Sequence, residues 1–96
     1  MYIVLLKFAE NKSAASKFMD AHNAWIAQGF ADGVFQCVGS LASGGGAVIA
    51  LGEDPSAFDE RVRSDPFVEH CVVNVEIHQI DPKRTVPALE FLKAAP

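Results

Sequence analysis

The chain has 96 residues, half of them hydrophobic, and carries 8 Lys and Arg against 12 Asp and Glu for a formal net charge of −4. That length fits one domain, and a domain this small buries only about two-thirds of its unfolded surface, so so apolar a chain is expected to turn part of its surface toward another subunit. No basic stripe is present to follow a phosphate backbone, which argues against nucleic acid, and no run of about 18 apolar residues is present to span a membrane.

Tyr2 to Phe8 is a short apolar run with β-branched and aromatic residues, which predicts a strand. It lacks the basic start and small-residue cleavage site of a secretion signal. Ala14 to Gln28 predicts a helix, because Ala15, Phe18, His22, Trp25, Ile26 and Gly29 recur at three- and four-residue intervals and form one stripe. Asn11 or Ser13 can cap its start, and Gly29 sits near its end. After a turn at Ala31-Asp32-Gly33, Val34 to Leu41 and Ala47 to Leu51 read as strands. The Gly-rich connection Ser43-Gly44-Gly45-Gly46 makes them a hairpin.

Asp54-Pro55 opens a second helix, with Asp as cap and Pro in the first helical position. Phe58 and Val62 supply its apolar side. Ser64-Asp65-Pro66-Phe67 repeats that start for one more short turn. Cys71 to Ile80 alternates between apolar Cys71, Val73, Val75 and Ile77 and polar Asn74, Glu76 and His78, which predicts a fourth strand ended by Asp81-Pro82. Val86 to Ala94 reads as a terminal helix.

The order βαββαβ with a terminal helix is that of an α+β, ferredoxin-like antiparallel sheet with helices on one face. The first strand is apolar on both sides, Tyr2, Val4, Leu6 and Phe8 against Ile3 and Leu5, and the third strand likewise. A solvated face does not look like this, so a second copy of the sheet is the expected cover, giving a homodimer. Cys37 and Cys71 fall in strand-like runs and are expected to be buried free thiols of a cytoplasmic protein. No His, Cys, Asp and Glu set has metal-ligand spacing, and the Gly triplet lacks the Lys-Ser/Thr of a phosphate loop, so neither metal nor cofactor is expected.

Two residues draw chemical interest. His22 stands in the apolar stripe of the first helix, where a neutral imidazole must find hydrogen-bond partners. Asp65 stands before Pro66. Each has a simpler reading alone: His22 as a residue at the stripe edge bonded to a carbonyl, Asp65 as a cap like Asp54. Together they suggest more. In a ferredoxin-like unit the first helix and the segment before the fourth strand share a sheet face, and a carboxylate beside an imidazole orients it as a general base or acid. His70, beside Glu69, and His78, on the polar side of the fourth strand, are expected to be structural. Trp25 is a core anchor or the wall of a pocket for a flat ligand.

At these residues the chain resembles the YCII-related, YciI-like family. The likeness rests on Tyr2-Ile-Val-Leu-Leu6, His22, the turn Gly39-Ser40 and above all Ser64-Asp65-Pro66-Phe67, and runs from Met1 to about Asp81. It implies a dimeric α+β barrel with a pocket on each subunit and a His-Asp pair, here His22 and Asp65. One branch of the family removes chloride from a chlorinated hydroxyquinol. The family's frequent Arg four residues before the His is Phe18 here, its Pro after the turn glycine is Ser40, and its Tyr after Asp-Pro is Phe67. The missing Arg argues against an anionic substrate of the usual kind.

The expected function is therefore a cofactor-independent elimination or isomerisation on a small organic molecule. His22 would move a proton, Asp65 would orient it, and Trp25, Phe18, Ser40 and Phe67 would shape the pocket. A non-catalytic dimeric ligand-binding module, or a muconolactone-isomerase-like or monooxygenase-like protein on the same barrel, are the alternatives.

Overall fold

Alternation along β1 (Tyr2–Phe8) sets the layout. In the computed structural model, which describes residues 1–93, Tyr2, Val4 and Leu6 are buried in the core, while Ile3 and Leu5 lie half-buried on the opposite face. β1 pairs antiparallel with β3 (Gly46–Ala50) on one side and β4 (Val73–Gln79) on the other. β3 pairs in turn with β2 (Phe35–Ser40), giving the order β2-β3-β1-β4. This is the four-stranded antiparallel sheet of a ferredoxin-like α+β fold.

The helices cover one face. α1 (Ala15–Ala31) follows a 3₁₀ turn at Lys12–Ala14. α2 (Pro55–Arg63) and the short α3 (Pro66–Glu69) each start at an Asp-Pro pair, with the Asp54 side chain accepting from Ala57 N–H at 2.9 Å and that of Asp65 from Phe67 N–H at 3.0 Å. Tyr2, Val4, Val48, Phe58, Val62 and Val72 are almost wholly buried between the layers. The Tyr2 and Phe58 rings stack there at 4.2 Å.

Several local expectations are corrected. Neither Asn11 nor Ser13 caps α1 through its side chain; Asn11 Nδ2 instead donates to His70 O at 2.8 Å, tying the start of α1 to the end of α3. Gly29 does not stop the helix, which continues to Ala31. It is buried inside the helix because the Phe35 ring lies so close that a Cβ at Gly29 would overlap it.

The two thiols are free but exposed, not buried. Cys71 has φ 58°, a left-handed turn conformation that a ladder residue does not adopt, so β4 begins at Val73. Cys37 follows the β-bulge of the edge strand β2 and lies on the face away from the helices, opposite Ile49. The terminal segment is a 3₁₀ helix at Pro87–Lys93, and Ala94 lies outside the described residues. Seven residues with Leu92 alone buried make too little contact to hold an α-helix. Among the described residues no helix is long and apolar enough to cross a membrane.

Candidate functional site

At 3.6 residues per turn, His22 sits at the middle of the inward side of α1, with two rows of side chains flanking it. Phe18 and Trp25 form one row, beside α2 and α3. Met19, Asn23 and Ile26 form the other, beside the β2–β3 hairpin. This second row and His22 form one wall of a cavity of about 400 Å³. Phe67 and Trp25 line it too, as do Val38, Gly39, Ser40 and the glycines of the β2–β3 turn. That volume is at the lower end of small-molecule pockets.

Asp65 reaches His22 because it caps α3. The Asp-Pro start turns its carboxylate back over the first turn of that helix, toward α1. Oδ1 lies 2.7 Å from His22 Nδ1 and also accepts the Phe67 N–H. Asp65 is wholly buried, and its Oδ2 has no partner among the described residues. A buried carboxylate needs strong donors, and the imidazole is the strongest on offer. An ionised carboxylate only accepts, so the short contact assigns the proton to Nδ1. Nε2 then carries the lone pair, and among the described residues nothing in the chain hydrogen-bonds it. His22 is one of the residues lining the cavity.

The ring is held flat as well as bonded. Phe67 stacks on it at 3.9 Å with the planes 4° apart, and Trp25 lies at 5.8 Å. Trp25 is itself fixed, since its indole Nε1–H donates to Arg61 O at 2.9 Å. Arg61 binds Glu53 through Nε at 2.7 Å and Asp32 through Nη1 at 3.0 Å, joining the end of α2 to the end of α1. Hydrogen bonding to Glu53, and then to Asp32, raises the Arg61 pKa above its ordinary value. The Gln28 amide first, and Arg61 second, hold the Asp32 carboxyl below its own.

Of the residues expected to form the site, His22 and Asp65 meet, and Trp25, Ser40 and Phe67 line the cavity with His22. Phe18 is not part of that lining; its ring stacks on His70 at 4.0 Å on the other flank of α1. His70 is exposed, and His78 lies on the outer sheet face 3.3 Å from Glu76. Met19, Asn23 and Phe8 line the cavity without having been anticipated. The helical period carried the signal: positions 19, 23 and 26 form a row beside position 22, but Met19 and Asn23 are exposed polar-side neighbours in a simple stripe count. Among the described residues no group of three or more His, Cys, Asp or Glu is placed to hold a metal ion.

No family model matches the chain, and no curated protein matches it in sequence. Its fold does have a solved counterpart. The 5-chloro-2-hydroxyhydroquinone dehydrochlorinase (TftG) of Burkholderia phenoliruptrix AC1100, in complex with 2,5-dihydroxybenzoquinone, superposes with a TM-score of 0.68. The match covers 83% of this chain and 93% of that one at 14% sequence identity. At that identity the likeness establishes a shared fold: this chain is built on the same small α+β architecture as that dehydrochlorinase.

Proposed function

We propose that this chain is a YCII-like enzyme that works as a homodimer and moves a proton on a small, flat organic molecule, with His22 as general base and acid and Asp65 as its orienting carboxylate. The observation that carries the reading is the 2.7 Å contact between His22 Nδ1 and a wholly buried Asp65, which leaves Nε2 as the ring nitrogen without a partner, in a residue that lines the cavity. Asp65 fixes the tautomer and stabilises the imidazolium as it forms, and general acid–base work of this kind contributes about 10² to 10⁴ in rate.

In an elimination, Nε2 takes a proton from the substrate, the freed electron pair forms a new π bond, and a leaving group departs with its own bonding pair. Chloride is the leaving group in a dehydrochlorination. In an isomerisation the imidazolium returns the proton at a second atom. His22 is the one imidazole among the described cavity-lining side chains, so the same nitrogen both takes the proton and gives it up.

The homodimer is supported by the outer sheet face. Ile3, Leu5, Ala47 and Ile49 lie side by side there, next to the polar row Asn74, Glu76 and His78. A second sheet laid on the apolar half removes it from water. The exposed free thiols fit a reducing compartment such as the cytoplasm.

The test is turnover of 5-chloro-2-hydroxyhydroquinone and of unchlorinated hydroxylated rings, followed by chloride release and by ring-proton exchange in heavy water. Wild type is expected to catalyse one of these and His22→Gln to lose at least about a hundredfold. A His22→Gln protein as active as wild type contradicts the mechanism, and no turnover by either supports a non-catalytic binding module.

A further inference from the structure

The ligand class can be narrowed by the charge of the cavity, resting on the site read above. Among the described residues that line it, none is Lys, Arg, Asp or Glu; the polar side chains are His22, Asn23 and Ser40, and the rest are apolar or glycine. The nearby cations are engaged outside the lining. Lys7 Nζ pairs with Glu76 at 3.2 Å, and Lys12 Nζ lies 4.8 Å from the centre of the Phe8 ring. The chain's single Trp and Phe67 both line the cavity, each stacked on the His22 ring.

We infer that this cavity binds an uncharged planar ring bearing a hydroxyl group, and that it rejects the same ring carrying a carboxylate. An anion entering here loses its hydration and finds no Lys or Arg to replace it, and any positive charge on His22 is already paired with Asp65 at 2.7 Å. It also meets the field of the Asp65 carboxylate, which stands buried behind His22 with one oxygen unpartnered. A neutral hydroxyl pays neither penalty: it donates to Nε2, while Asn23 and Ser40 offer further donors and acceptors. The aromatic walls favour a flat shape.

A matched pair of probes isolates charge from shape: methyl 4-hydroxybenzoate, uncharged, and 4-hydroxybenzoate, its carboxylate. Binding is measured by titration calorimetry, with the NMR signal of the Trp25 indole N–H as a local reporter. The ester is expected to shift the indole signal and to bind at least tenfold more tightly than the acid. Met19→Arg, a change at an exposed position on the cavity lining three residues before His22, is expected to close that gap by admitting the carboxylate. Equal binding of acid and ester to the wild-type chain overturns the inference, and so does failure of the ester to bind. Neither reading needs turnover. A protein that prefers the ester yet catalyses nothing keeps the ligand class and loses the proton-transfer proposal.

Discussion

Asp65 does two things with one oxygen. Oδ1 accepts the Phe67 N–H of the helix it caps and faces Nδ1 of His22. Asn caps a helix about as well as Asp, so Asp65→Asn is expected to leave the thermal midpoint within a few degrees. It replaces an acceptor by an amide that accepts less strongly and carries no charge, so kcat is expected to fall by on the order of 10² or more. Asp65→Ala removes cap and acceptor together and is expected to cost about 1–3 kcal/mol of stability, read by urea unfolding. Stability lost equally by Asn and Ala, with kcat unchanged in Asn, speaks for a purely structural Asp65.

Both residues of this pair were legible in the sequence, one as a polar residue in an apolar stripe and one as an Asp-Pro start, but the 2.7 Å contact was not. Spacing places residues on a face; it does not tell which turn of α1 α3 will meet. Gly29 shows the same limit. Its place after an apolar stripe reads as a helix stop, whereas its role is to let Phe35 approach α1. Gly29→Ala is expected to destabilise by about 1–3 kcal/mol through overpacking, although alanine is the better helix former. A thermal midpoint equal to or above that of wild type contradicts the close approach.

Among the elements, the strands and helices were legible because their apolar patterns differ, an unbroken short run in β1, a period of two in β4 and about 3.6 in α1. What was not legible lies at their ends. The start of α1 is held by a long-range bond from Asn11 to the His70 carbonyl instead of by a cap. Cys71 looked like the first apolar residue of the last strand and is instead a turn in the left-handed region.

The end of α1 is held by Arg61, which bridges Asp32 and Glu53. This contact has a pH signature. The folded-state pKa of Asp32 is lowered, by Gln28 and then Arg61. Its contribution to stability is therefore present above the ordinary carboxylate value and is lost as pH falls through the depressed one. Asp32→Asn is expected to lower the urea midpoint at neutral pH, with the difference shrinking in acid. A difference that stays constant into acid places the effect elsewhere than in the charge.

For the whole molecule, the βαββαβ order sufficed to anticipate a ferredoxin-like antiparallel sheet with helices on one face, and the strand order β2-β3-β1-β4 is one of the few that two split βαβ units admit without crossed connections. The bare outer face follows from the same topology. Ile3 lies opposite Ile49, and Leu5 opposite Ala47, on the side away from the helices. If a second copy covers that face, Ile3→Lys is expected to convert a two-chain particle into a single chain in sedimentation, because a buried charge facing its own symmetry mate is strongly disfavoured. A wild-type chain that sediments alone contradicts the proposed homodimer.

The proton-transfer role of the His22–Asp65 pair is tested most directly by the pH dependence of turnover in wild type and His22→Gln, measured on whichever hydroxylated ring the wild type converts. With His22 as the group that takes the proton, the wild-type rate is expected to rise along a limb that reports one ionisation, and His22→Gln is expected to lose that limb together with at least about a hundredfold in kcat. The same limb and the same kcat in the variant would contradict the role given to the pair.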